Sequence, residues 1–401
     1  MRKPVSSPAP QRRPAPSALV PRLQPFTSTI FAEMTALAVR HDAVNLGQGF
    51  PDTDGPVGML NAAKKALFGG ANQYPPGPGR PELRAAIAKH RLRYGTEYDP
   101  DSEILVTAGA TEGITAALIA LTEAGDEVIV IEPYYDSYAA AVAMAGATRR
   151  VVSLVEGADG RFALEVDAVR AAITPRTRAI LVNSPHNPTG TVFTAAELAG
   201  LAGVCVEHDL IAITDEVYEH LTFDDAEHLP LVNLPGMRER TVTVSSAGKS
   251  FNCTGWKIGW VCATPELVAA VKTAKQFMTF VSGGPLQPAV AYALEEELDW
   301  VEILRGSLMA KRDRLAAGLA EAGFAVRPTA GTYFICADVR PLGFTDAAEL
   351  AWQLPERVGV AAVPVKVFTD HPDEWKHLLR FAFCKQDTVL DQAITRLHKL
   401  S

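Results

Sequence analysis

From about residue 100 the chain alternates short, continuously apolar, β-branched runs with longer stretches rich in alanine and leucine. The runs EILVTAG, EVIVIEP, RAILVNSP, LIAITDE, TVTVSSAG and GWVCAT predict strands, and ATEGITAALIALTEA, YDSYAAAVAMAGA and TAAELAGLAGVCVEHD predict the helices between them. Strands that are apolar throughout, rather than at every second position, are covered on both faces. The pattern therefore predicts an α/β fold with a mostly parallel sheet between helices. Such sheets bind ligands at the carboxyl ends of their strands. After PELVAAVKTAKQFM the pattern changes to a smaller α/β unit holding RDRLAAGLAEAGF, AVRPTAGTYFICADV and HLLRFAFCK. The expected organisation is a disordered tail over 1–24, a segment over 25–54 packing with the smaller unit, a large domain over 55–290 and a small one over 291–401.

Size and charge narrow the function classes. With 401 residues, 48% of them hydrophobic, the chain exceeds one typical domain. A formal net charge of -8 argues against nucleic acid as a partner and fits an enzyme of small molecules. The five cysteines, Cys205, Cys253, Cys262, Cys336 and Cys384, are odd in number, form no C-x-x-C pair and lie in apolar surroundings. They read as reduced thiols of a cytoplasmic protein, with no metal site. No apolar run reaches the roughly eighteen residues of a membrane helix. The Pro/Ala/Ser/Arg-rich start has no continuous apolar stretch and reads as a tail, not a signal peptide.

Polar residues collect just after the predicted strands. Gly109, Ala110 and Thr111 open a helix, where free backbone N–H groups suit a phosphate. Tyr134 and Tyr135 follow the next strand; Asn183, His186 and Asn187 lie in a Pro/Gly turn. Asp215 and Tyr218 are three apart, a spacing that predicts one helical face. The last such end carries Ser245, Ser246 and Lys249. Each has an ordinary reading as a turn, a core aromatic or a surface charge. Together they are what pyridoxal 5′-phosphate needs: an amine for its carbonyl, a carboxylate for its ring nitrogen, donors for its phenolic oxygen and amides for its phosphate.

The motifs HNPTG, TDEVYEHL and SAGKSFNCTGWKIGW, in this order, resemble those of class I aminotransferases of fold type I, and the resemblance runs from about Leu23 to the end. NLGQGFPD, NQYPPGPG, EPYYDSY and RFAFCK resemble the kynurenine, glutamine and methionine aminotransferase branch, and actinobacterial N-succinyldiaminopimelate aminotransferases. The resemblance implies a seven-stranded, mostly parallel sheet, a homodimer with shared sites, and the following roles. Lys249 holds the cofactor's carbonyl carbon and moves the substrate proton. Asp215 pairs with the ring nitrogen, and Asn187 and Tyr218 with the phenolic oxygen. Tyr135 stacks on the ring. Ala110, Thr111, Ser246 and Lys257 hold the phosphate, joined by Tyr74 of the neighbouring subunit. Arg380 clamps the substrate carboxylate, assisted by the backbone near Gly49 and supported by Asn183. Many relatives carry arginine where Lys257 stands. For Lys249 to act as a base its pKa must fall, which a neighbouring pyridinium would bring about.

A C–S β-lyase or another enzyme of the same fold keeps the same lysine, aspartate and arginine and stays open. A nicotinamide dehydrogenase lacks its G-x-G-x-x-G after a strand, and a DNA-binding regulator would need a domain that the short N-terminal stretch cannot form. The substrate pocket is expected to involve Phe31, Tyr135 and FVSGGPLQ, with modest polarity from Ser28, Thr29 and Ser282. No second arginine marks a dicarboxylate site, so aromatic, thioether and long succinylated substrates all remain.

Overall fold

The structure is a computed structural model and describes residues 18–400. At its centre is a seven-stranded sheet. Its strands are β1 (Ile104–Thr107), β2 (Glu127–Glu132), β3 (Thr148–Ser153), β4 (Thr177–Asn183), β5 (Ile211–Asp215), β6 (Thr241–Ser246) and β7 (Gly259–Cys262). The spatial order is β1-β7-β6-β5-β4-β2-β3. Every pairing is parallel except those of β7, which runs against both β1 and β6.

Helices α1 (Gly109–Leu121), α2 (Ser137–Ala145), α3 (Val166–Ala172), α4 (Ala195–Glu207) and α5 (Pro265–Lys275) cover the sheet. One face packs Ile114, Leu118, Tyr138, Val142 and Val271 of α1, α2 and α5. The other packs Val169, Leu198, Leu201 and Cys205 of α3 and α4. Burial on both faces explains why β1, β2 and β7 carry apolar runs without alternation. The edge strand β3 differs: its TRRVVS alternates between exposed and partly buried positions. Arginines on a free edge discourage pairing with another chain, and they also hide this strand from an apolar-run reading.

The second sheet is four-stranded and antiparallel, in the order β8 (Ala325–Val326), β9 (Phe334–Asp338), β11 (Leu378–Ala382), β10 (Val363–Pro364). Leu308, Leu315, Leu350, Leu354, Leu390 and Leu397 pack with it in one apolar cluster. The N-terminal region joins this unit: Val44–Asn45 pairs in parallel with Val360–Ala361, and Met34 and Leu46 enter the same cluster. The tail expected over 1–24 falls mostly outside the described residues. Its last part differs from the expectation, because Pro21–Phe26 forms a 3-10 turn. All five cysteines are buried and unpaired. Among the described residues no helix is long and apolar enough to cross a membrane.

Strand register brings the candidate residues to one edge. Asn183 lies beside Asp215, and Gly259 lies opposite both Ser246 and Thr107. The reversed direction of β7 puts its beginning, not its end, at this edge, and so delivers Lys257. Gly259 permits the approach: a Cβ there would sit 2.6 Å from the carbonyl carbon of Gly109. Gly259→Ala is expected to lower stability by about 1–3 kcal/mol in urea unfolding, the usual cost of overpacking. An unchanged midpoint would show that β7 and the start of α1 part without cost.

Candidate active site

A cavity of about 370 Å³ lies at the carboxyl edge of the large sheet. Phe31, Gly49, Gly109, Ala110, Thr111, Tyr135, Asn187, Asp215, Tyr218, Ser246, Lys249, Lys257 and Arg380 all line it. Of the residues to which the resemblance gives a cofactor or substrate role, Tyr74 lies outside it. It is 82% exposed and packs edge-on against Phe280 at 5.6 Å between ring centroids.

Lys249 sits in the short helix Ala247–Ser250 that follows β6. Its ammonium lies 3.5 Å from the carbonyl of Gly49, and 5.8 and 5.6 Å from the ring centroids of Tyr218 and Tyr333. Burial lowers its pKa to about 8, against the opposing pull of Cys384 and Asp215. The depression expected from a cationic ring is therefore already produced by desolvation.

Asp215 ends β5. Burial raises its carboxyl to about 6, although Tyr138, the Val217 amide and Lys249 favour the carboxylate. The Tyr138 hydroxyl donates to Oδ2 at 2.5 Å, and the Val217 amide to Oδ1 at 3.3 Å. The spacing of Asp215 and Tyr218 predicted a helical face, but residues 216–220 form tight turns instead. The Glu219 amide donates to the Glu216 carbonyl at 2.9 Å and that of Leu221 to Tyr218 at 2.8 Å. Each residue of so tight a turn takes a different direction, so Tyr218 can face the cavity while its neighbours face away.

Arg380 lies on β11 of the small sheet and is 1% exposed. Its guanidinium donates to Asn187 Oδ1 and to the Gly47 carbonyl, both at 2.9 Å, and Nε has no partner. It lies over Phe334 at 4.0 Å, with Phe368 at 5.0 Å and Phe31 at 5.3 Å from the guanidinium. Among the described residues no carboxylate pairs with it. Burial lowers its pKa, yet an arginine remains charged. The Gly47 carbonyl holds the guanidinium, while Gly49 lines the cavity and its carbonyl accepts from Tyr333 at 2.7 Å. One expectation changes here. Asn183 does not touch Arg380: it accepts from the Asn187 amide and donates to the Asp215 carbonyl, both at 2.8 Å.

The start of α1 forms the fourth wall. Gly109 has φ +77°, and a Cβ on it would come within 3.2 Å of the Lys257 ammonium. Lys257 itself is left-handed, at φ +55°. A cation beside the unpaired N–H groups of a helix start is an anion site. Among the described residues Lys257 has no carboxylate partner within ion-pair distance, which fits a phosphate supplied from outside.

Sequence reasoning missed Tyr138 and Tyr333. YDSY placed Tyr138 in a helix and gave no reason to turn it toward Asp215, and Tyr333 stood within a strand-like run. The segment over residues 280–287, expected in the pocket, lies outside this cavity. Thr29 caps the helix Ile30–Arg40 instead, accepting from the Ala32 amide at 3.4 Å.

Residues 41–397 match the family model of aminotransferase class I and II. The chain is 59% identical over 392 residues to a probable N-succinyldiaminopimelate aminotransferase of Mycobacterium tuberculosis, covering 95% of this chain and 98% of that protein. It is 40% identical to a methionine aminotransferase of Escherichia coli, covering 94% and 97%. A solved structure of N-succinyldiaminopimelate aminotransferase from Mycobacterium tuberculosis superposes with a TM-score of 0.94 at 60% identity, over 96% of this chain and all of that one.

In cofactor-free protein, the rate at which an amine-selective reagent labels Lys249 is expected to rise with a midpoint near 8. Asp215→Asn should move that midpoint down, because the carboxylate favours the ammonium. A midpoint near the ordinary lysine value would contradict the role of burial.

Proposed function

The chain belongs to the class I and II aminotransferases and is a transaminase, and on that premise we propose that it uses pyridoxal 5′-phosphate to move the amino group of N-succinyldiaminopimelate to 2-oxoglutarate, giving glutamate. The observation that carries this reading is Arg380: a buried guanidinium with no carboxylate of its own, opening on the cavity that holds Lys249 and Asp215. Leaving such a charge unpaired costs several kcal/mol, so a carboxylate-bearing substrate is the fitting complement. The anion site at Gly109 and Lys257 fits the cofactor's phosphate in the same way.

What bound pyridoxal 5′-phosphate supplies is an aldehyde to carry the amino group and a pyridine ring to take up charge from the substrate's Cα. The Asp215 carboxylate keeps the ring nitrogen protonated, with Tyr138 and the Val217 amide holding it in place. Asn187 has its oxygen committed to Arg380, so its NH₂ is free to donate to the phenolic oxygen, together with the Tyr218 hydroxyl. Tyr135 offers a flat face to the ring. Lys257, Ser246 and the amides of Ala110 and Thr111 hold the phosphate. Arg380 holds the α-carboxylate bidentately. The amine of Lys249, its pKa already near 8, would take the proton from Cα and deliver it to the carbon that carried the cofactor's aldehyde.

The succinylated substrate is supported by the identity to the Mycobacterium tuberculosis protein. Among the described residues, the lysines and arginines lining the cavity are Lys249, Lys257 and Arg380, and Phe31, Phe50 and Tyr135 line it as well.

Glutamate is expected to form from N-succinyldiaminopimelate and 2-oxoglutarate, faster than from methionine or kynurenine as donor, and Lys249→Ala is expected to abolish it. Preference for methionine or kynurenine would move the substrate assignment to that branch. Tyr74, outside its own cavity on a proline-stiffened loop, is proposed to complete the phosphate site of a second subunit in a homodimer. Tyr74→Phe and Lys249→Ala subunits mixed together should form some dimers with one intact site. Activity no greater than that of the two parents would overturn the shared site.

A further inference from the structure

The turn that carries Asp215 and Tyr218 has a second side, which the reaction itself does not use. Glu216, Glu219 and His220 point away from the cavity into a buried polar network. Arg91 donates to Glu216 and to Glu219 at 2.9 Å each. Its one guanidinium thereby offsets part of the charge of the two carboxylates. Thr214 donates to Glu216 at 2.9 Å, and His228 Nε2 lies 3.1 Å from that carboxylate.

Two bonds lead from this network to the segment bearing Lys249. The Ser245 hydroxyl donates to Glu219 at 2.6 Å. Ser250 Oγ lies 2.7 Å from His220 Nδ1. Ser245 is four residues before Lys249 and Ser250 is directly after it, so the segment is tied on both sides. The ties come from consecutive residues of the turn that also carries Asp215 and Tyr218.

The direction of the histidine bond follows from proton accounting. His220 Nε2 meets His90 Nε2 at 2.8 Å. Burial holds both rings well below the usual histidine pKa, so each is neutral and carries one N–H. His90 Nδ1 is buried without a partner. An orphaned buried N–H is the rarer and costlier arrangement, so the His90 proton belongs on Nε2. It is donated to His220 Nε2, which leaves the His220 proton on Nδ1, facing Ser250.

From these contacts we infer that His220 is a positioning residue for the reaction: by donating to Ser250 it holds the Lys249 turn in register with Asp215 and Tyr218. The inference rests on Lys249 as the reacting amine. A tie in this place keeps the amine in its half-buried position among Asp215, Tyr218, Lys257, Tyr333, Arg380 and Cys384. If the tie is cut, the turn loosens, water reaches the amine, and desolvation no longer depresses its pKa fully.

The test uses Ser250→Ala, His220→Leu and His220→Asn in the full chain. An asparagine amide can reproduce the Nδ1–H donor, whereas leucine cannot. Ser250→Ala and His220→Leu should each lower kcat about three- to tenfold, the range of one hydrogen bond, with KM for both substrates within about twofold. In cofactor-stripped protein the labelling midpoint of Lys249 should move upward from about 8 in both. His220→Asn should restore kcat and the midpoint toward the parent. A purely structural bond would lower unfolding stability and leave the midpoint where it is, and that result overturns the inference. So does a Ser250→Ala protein with parental kcat and midpoint, which keeps the question open to decision even if His220→Leu fails to fold. Lys249→Ala is the control: if it retained turnover, the assignment of Lys249 would have failed, not that of His220.

Discussion

Desolvation of charge at one sheet edge is the constraint on which this site depends. Asp215 and Arg380 are buried and Lys249 is half-buried, yet none is paired off against a neighbour of opposite charge at close range. The lysine is pushed down to about 8 and the aspartate up to about 6 by the same burial. Arg380 keeps its charge and rests on aromatic faces and two neutral oxygens. Each group is costly alone. The cost is sustained by the surrounding core.

Holding three such groups in register takes rigidity on the side away from the cavity. The turn after β5 supplies it by alternation: Asp215 and Tyr218 face the ligand space, while Glu216, Glu219 and His220 face Arg91, Ser245 and Ser250. Buried ion pairs such as Arg91 with its two glutamates often add little net stability, but breaking one leaves an uncompensated charge. Their effect here is geometric, since they lock the turn that two strands and the Lys249 segment share.

The small sheet enters through Arg380 alone among its charged residues lining the cavity, and through Phe334 beside it. Asn187 connects the two sheets, because its amide belongs to the large-sheet turn and its side chain to Arg380. A single asparagine thereby refers Arg380 to the edge of the large sheet.

The sequence by itself determined the α/β class, the order of strands and helices, and most residues of the site. Short continuous apolar runs rich in β-branched residues suit doubly covered strands, and polar residues directly after them then fall at the sheet edge. Lys249, Asp215, Asn187 and the start of α1 were legible for that reason. Tertiary structure decided what depends on direction and register. The reversal of β7 brings Lys257 to the edge by its beginning, and the arginines of β3 concealed an edge strand. The tight turn after Asp215, where a helix was expected, sends five consecutive residues to two different environments. Tyr138, Tyr333 and Gly47 joined the site through contacts between segments far apart in the chain. Local patterning specifies which face of an element is buried, but which buried atoms meet across the cavity is set only when the two sheets are packed together.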